Sequence, residues 1–182
     1  PSFTGYLDVI GNAAGVVIAT PTESHYAIAR ACLERGVHVF MEKPITALPE
    51  EAKELLDIAS SRGLVLQVGH LERLNPAFTQ AVPFIKRPLL IEARRIGPFT
   101  GRSTDVDVVL ALMIHDLDLV ASLAGEDVKS VSAQGIALVT EQSDVANARI
   151  EFAGGCVANL TASRVSAYRE RSLTIYEQDR CF

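Results

Sequence analysis

The stretch Gly36-Val-His-Val-Phe-Met-Glu-Lys-Pro-Ile-Thr46 decides how the rest of the chain is read. Val37 to Met41 is a short apolar run rich in β-branched and aromatic residues, the pattern of a buried strand. Gly36 before it has the character of a helix stop. The run ends on Glu42-Lys43-Pro44, where proline cannot donate to a ladder and holds Lys43 extended, so the chain must turn at once. A lysine at the carboxyl end of a parallel strand sits where open α/β sheets place their ligands. A surface lysine in an ordinary turn is the alternative, and the neighbouring segments bear on the choice.

Upstream, Gly15-Val-Val-Ile-Ala-Thr-Pro-Thr-Glu-Ser-His25 predicts a second buried strand over Val16–Ala19. A helix follows, with Thr22 as its N-cap and Arg35 near its end. Ile28, Ala31 and Cys32 supply its apolar stripe. Downstream, Pro49 with Glu50 and Glu51 opens another helix, the acids opposing its positive end. Its stripe is Ala52, Leu55, Leu56 and Ala59, and Gly63 stops it. Leu64–Gly69 is a third strand. This strand–helix–strand–helix–strand order predicts a parallel, doubly wound arrangement.

Beyond Gly69 the pattern changes. Asn75-Pro76 predicts an N-cap with proline at the first helical position, and Pro83 should kink or shorten the helix that follows. Leu89–Ile96 alternates toward strand, and the loop Gly97–Ser103 leads to a predicted helix over 105–124. Thr104 is its expected N-cap and Gly125 lies past its end. Val106, Val109, Leu110, Met113, Leu117 and Val120 form its expected buried stripe. Asp107, Ala111, His115 and Asp118 share a different face. Strands are predicted over Val128–Val139, Asp144–Phe152, Cys156–Val165 and Ser172–Glu177, with a hairpin at Gly154-Gly155.

Taken with Glu42-Lys43-Pro44, the segments Ala19-Thr-Pro21 to His25, Val68-Gly-His-Leu-Glu-Arg-Leu-Asn-Pro76 and Met113-Ile-His-Asp-Leu-Asp118 resemble the Gfo/Idh/MocA family of nicotinamide-dependent oxidoreductases. The resemblance runs through nearly the whole chain. It implies an α/β fold: the second half of a Rossmann-type parallel sheet over 1–69, then an α+β substrate and dimerisation domain with an open, mostly antiparallel sheet over 70–182. It implies NAD or NADP as cofactor, held by Thr20, Pro21, His25, Glu42, Lys43 and Pro44. Lys43 and His115 would be catalytic, and Arg73 and Asn75 would lie toward a sugar or nucleotide-sugar substrate. His115 would remove a hydroxyl proton while Lys43 polarises the oxygen. The family pattern places a carboxylate where this chain has Ala111, and an aspartate four residues before a histidine can orient the imidazole.

No Gly-x-Gly-x-x-Gly fingerprint occurs, since Gly11-Asn-Ala-Ala-Gly15 has the wrong spacing. The resemblance implies that the turn carrying it precedes Pro1 and that the second domain continues past Phe182. The 182-residue chain is accordingly expected to bind a dinucleotide weakly and to be inactive alone. Two rival functions keep the fold: a non-catalytic sensor or assembly module, which Ala111 favours, and a reductase of another small carbonyl compound.

Composition bounds the partners. Hydrophobic residues make up 48% of the chain, enough for substantial cores. A net charge of -5, with no basic run, argues against a nucleic-acid surface. No apolar run is long enough to span a membrane, and no secretion signal is seen. Cys32, Cys156 and Cys181 have no metal or redox spacing, and the histidines share no ligand spacing, so no metal is expected. A reduced, cytoplasmic protein follows. His38 is expected to pack inside its strand, and Asp116 and Asp118 to be solvated. Arg94 and Arg95 could hold a phosphate or carboxylate, although neighbouring strand residues point to opposite faces. The strands after 128 are expected to leave an apolar sheet face for a homo-oligomer partner.

Overall fold

A computed structural model describes residues 5–182; residues 1–4, the start of the first predicted domain, lie outside the described residues. The chain divides into two compact units, one ending at His70 and one covering Leu71–Phe182.

In the first unit a short helix α1 (Tyr6–Ile10) precedes β1 (Gly15–Ile18), α2 (His25–Glu34), β2 (His38–Met41), α3 (Pro49–Ser61) and β3 (Leu66–Val68). The strands form a parallel sheet in the order β1-β2-β3, with Ile18 beside Met41 and Met41 beside Val68. Gly36 and Gly63 turn the chain out of α2 and α3 at φ +78° and +64°, values that glycine adopts at no steric cost. Ile18, Ala29, Leu33, Val39, Met41, Leu55 and Ala59 pack into one core. Two expectations fail here. Thr22 does not cap α2: it lies buried in a 3-10 turn (Thr22–Ser24), and the α-helix starts only at His25. His38 is exposed, and its Nδ1 accepts at 2.9 Å the amide of Val65, which lies beside it just before β3.

The second unit contains α4 (Pro76–Ala81), β4 (Leu90–Ile96), α5 (Ile114–Ala124), β5 (Val128–Ile136), β6 (Val145–Phe152), β7 (Val157–Ser163) and β8 (Glu170–Tyr176). Its sheet has the order β5-β6-β7-β4-β8, antiparallel except for β4 beside β7. Asn75 caps α4, its Oδ1 accepting the Ala77 amide at 3.0 Å. Pro83 ends that helix, which tightens into a 3-10 turn over Val82–Phe84. The β6–β7 hairpin closes through Gly155 at φ +91°.

The predicted helix over 105–124 is the main correction. Residues 104–106 form a turn, Thr104 is exposed, and Asp107 does the capping by accepting the Leu110 amide at 2.9 Å. Val109–Met113 then winds as a π-helix before α5 begins at Ile114. Val106, Met113 and Val120 are buried as expected, but the wider turn rotates the inward face: Val108, Ala111, Asp116 and Leu119 are buried too, while Val109 and Leu117 pack on the core only half-buried and Leu110 is half-buried. This face packs on Ile91, Ala93, Ala146, Ile150, Ala158, Leu160, Ala162 and Ile175. By alternation, the opposite sheet face carries Glu92, Arg94, Asn147, Arg149, Asn159 and Thr161 and is polar, not apolar as expected. Exposed apolar side chains gather instead on and after edge strand β5, at Val128, Val131, Ile136, Leu138 and Val139.

Asp144 ties the loops at one end of this sheet. Its carboxylate is fully buried and accepts the amides of Leu138, Val139 and Thr140, the Thr140 hydroxyl, and Arg164 Nε at 2.8 Å. Arg164 extends the knot by donating to the carbonyls of Ser103, Val106 and Ser143. Burial alone would push Asp144 up, but the amides of Val139, Thr140 and Leu138 hold it far below the ordinary carboxylate range. A depressed folded-state value contributes stability above the unfolded carboxylate range and loses it as pH falls through that range toward the folded value. Asp144→Asn should therefore lower the melting temperature by at least several degrees at neutral pH, and the gap from wild type should narrow in acid. Thermal unfolding followed by circular dichroism across pH checks this, and a gap that is constant with pH would contradict it.

Candidate active site

In the first unit the two turns that carry the predicted cofactor residues meet at one edge. β1 runs out through Thr20-Pro21 and β2 through Glu42-Lys43-Pro44, and the parallel register places both ends side by side. The Glu42 amide donates to the Ile18 carbonyl at 2.9 Å, and the Lys43–Pro44 peptide is cis. His25, buried at the start of α2, joins the turns: Nδ1 lies 2.8 Å from the Pro44 carbonyl and Nε2 2.9 Å from the Thr20 carbonyl. Ser24 Oγ adds bonds to Thr20 Oγ1 and the Pro21 carbonyl. His25 thus holds the backbone of both turns, while Thr20 and Pro21 are exposed and Glu42 and Lys43 half-buried. Thr20, Glu42 and Lys43 thus lie at this edge on a backbone that His25 braces.

In the second unit, the other predicted residues cluster around α5. His115 occupies the first turn of α5, directly after the π segment, and is half-buried. Asp116 beside it is buried, contrary to expectation, because it faces Arg95 on β4. Arg95 donates from Nε and Nη2 to Asp116 at 2.7–3.1 Å and from Nη1 to Glu72 at 3.1 Å. Burial pushes the Asp116 carboxyl up, against the pull of Arg95. Burial pushes Glu72 up as well, but the Asn75 amide and Arg95 hold it below its ordinary value, with a smaller contribution from His115. Arg73 forks onto Asp118, 2.7 Å from Nε and 2.6 Å from Nη2, so Asp118 is not a solvated residue either. Asn75 donates to Glu72 as well as capping α4. Arg73 and Asn75 are thereby drawn to the segment that carries His115. Arg94, on the opposite face of β4, pairs with Glu170.

A cavity of about 380 Å³ opens beside this network, lined by Glu72, Asn75, Phe78, Arg95, Asp116 and Arg171 among others. Ala111, buried in the π segment, lines a different cavity on the sheet side. Arg95, singled out from the sequence as able to hold a carboxylate, does so, but sequence reasoning missed its partners Glu72 and Asp116 and the Arg73 partner Asp118. One signal was available: Asp116 and Asp118 flank Leu117 in an otherwise apolar helix, where an acid can be carried inward only with a partner.

Residues 1–70 match the profile described as "Oxidoreductase family, NAD-binding Rossmann fold", and residues 91–179 match the "GFO/IDH/MocA C-terminal domain". The chain belongs to the Gfo/Idh/MocA family. It is 43% identical over 170 residues to a UDP-N-acetylglucosamine 3-dehydrogenase of Acidithiobacillus ferrooxidans, a match covering 91% of this chain and 53% of that protein. A scyllo-inositol 2-dehydrogenase (NAD(+)) of Bacillus subtilis is 32% identical, over 84% of this chain and 49% of its own length. The solved structure of UDP-N-acetylglucosamine 3-dehydrogenase GnnA from Acidithiobacillus ferrooxidans superposes with a TM-score of 0.92 at 41% identity, covering 100% of this chain and 60% of that one. The chain spans about half the length of the curated relatives it matches. The family's cofactor is NAD(P), and the carboxyl edge of β1 and β2 fits such a group in kind: turns at the ends of adjacent parallel strands, the second of them carrying Lys43. Among the described residues, no cluster suited to holding a metal ion occurs, and no helix is long and apolar enough to cross a membrane.

Proposed function

We propose that the protein carrying this chain oxidises a hydroxyl carbon of a nucleotide sugar, the 3-position of a UDP-N-acetylglucosamine-type substrate, with NAD or NADP. The observation that carries this reading is the 43% identity sustained over 91% of the chain with a dehydrogenase of that specificity, against 32% for the cyclitol enzyme. The cofactor, when bound at the edge formed by Thr20, Pro21, Glu42, Lys43 and Pro44, supplies the hydride acceptor. The chain's own residues do the rest. His115 takes the proton of the reacting hydroxyl as general base. Lys43 holds and polarises the oxygen with its ammonium group. Arg73 and Asn75 shape the substrate side, and His25 keeps both cofactor turns in place. The free thiols Cys32, Cys156 and Cys181 accord with a reducing cytoplasm.

Ala111 favours a second reading, a non-catalytic module with the same fold, because it leaves the helix without the carboxylate of the family pattern. Reduction of NAD and NADP by the full-length protein, with UDP-N-acetylglucosamine, free N-acetylglucosamine and scyllo-inositol offered in turn, separates the two. Turnover of the UDP-sugar is expected, together with a loss of about a hundredfold to ten-thousandfold in His115→Asn. At saturating substrate Ala111→Asp should raise turnover about a hundredfold to a thousandfold, the range of general-base assistance. No turnover of any sugar by wild type or Ala111→Asp would support the non-catalytic module. Equal rates for wild type and Ala111→Asp would show that His115 works without a carboxylate at 111.

We further propose that the protein forms a homodimer through the second unit. Strand β5 is exposed along all nine residues, and an edge bearing Val128, Val131 and Ile136 invites a covering partner. Sedimentation of the full-length protein should give a dimer at micromolar concentration; a stable monomer would contradict this.

A further inference from the structure

Five arginines line one cavity of the second unit in a chain whose net charge is -5. Two of them are already spent. Arg95 gives its donors to Asp116 and Glu72, and Arg164 gives its own to Asp144 and to backbone carbonyls. Arg102, Arg169 and Arg171 are exposed and, among the described residues, make no ion pair. No described acidic residue lines the cavity. The strand register puts Arg171 on β8 directly opposite Arg95 on β4, with Asp116, already bonded to Arg95, as the acid that attracts both.

The wall of this cavity is fixed before any ligand arrives. The loop Gly97–Ser103 contributes to it, and Ser103 adopts φ 52°, a left-handed conformation that costs a non-glycine residue free energy and tends to persist at ligand clamps. Arg164 Nη1 holds the Ser103 carbonyl at 2.8 Å, so the knot around Asp144 sets the shape of the loop. The space is about 170 Å³, suited to a compact anionic group rather than to an extended apolar one.

We propose that this cavity is an anion subsite that holds the diphosphate of a nucleotide sugar, with Arg102, Arg169 and Arg171 as its donors. Planar guanidinium groups match phosphate oxygens in paired hydrogen bonds, which a lysine cannot reproduce. Free sugars and cyclitols have no group to neutralise these charges, so the subsite would select nucleotide sugars over them. The inference rests on the nucleotide-sugar reading above and adds the residues that would enforce it.

Calorimetric titration of the full-length protein with UDP, inorganic pyrophosphate and N-acetylglucosamine tests it, using wild type, Arg169→Gln and Arg171→Gln. Arg149→Gln, on the other sheet face, controls for loss of a surface charge. UDP and pyrophosphate should bind wild type with an affinity that falls as salt rises. Each cavity variant should weaken UDP about tenfold or more, and Arg149→Gln should leave it unchanged. In turnover, the cavity variants should raise KM for UDP-N-acetylglucosamine and spare kcat, because the diphosphate is remote from the reacting carbon. If wild type turns over the UDP-sugar and the cavity variants keep its KM and the UDP affinity, the inference falls while the nucleotide-sugar reading stands. If wild type neither binds UDP nor oxidises a UDP-sugar, that reading falls and takes the inference with it.

Discussion

The second unit depends on one buried charge. Arg95 is carried by an interior strand of the sheet, β4, to a place where it is almost wholly removed from water. A buried cation without partners costs several kcal/mol, so it must be met. Asp116 from α5 and Glu72 from the segment before α4 meet it together. Because the geometry of those bonds is narrow, the same contact that satisfies the charge fixes where α5 lies along β4. His115, next in sequence to Asp116, is placed by that contact. Arg73 on Asp118 ties the same segment to α5 two residues later.

Much of this architecture could be read from the sequence because local rules and burial agree there. The apolar runs of β1 and β2 and the glycines after α2 and α3 point to the same alternation of strand and helix. Asn75, Pro76 and Pro83 mark the start and end of α4 by chemistry that acts within a few residues. The residues expected at the cofactor follow the ends of β1 and β2, except His25, which opens α2 and braces both turns through its ring. What escaped was everything decided by contacts distant in sequence. The π segment at Val109–Met113 cannot be told from an α-helix by counting apolar positions, yet it rotates the buried face and brings Asp116 inward. Asp144 and Arg164 are twenty residues apart, and neither has a local pattern that announces their pairing.

The two buried arginine knots bear on the chemistry in different ways. Arg95 and its acids position the helix that carries His115. Arg164 and Asp144 shape the loop before that helix and, with it, the wall of the arginine-lined cavity. Arg95 and Ala111 also line that cavity, so catalytic placement and substrate selection would meet at the π segment and β4.

The most direct test of the dependence on Arg95 is a double-mutant cycle in urea, with wild type, Arg95→Met, Asp116→Leu and the double variant. Each single change should cost about 3–5 kcal/mol, because Arg95→Met strands the buried Asp116 and Asp116→Leu leaves Arg95 with Glu72 alone, while the double variant should recover a large part of that loss. Single costs that simply add, to within about 0.5 kcal/mol, would show that the two residues are not coupled and that α5 is held by apolar packing alone.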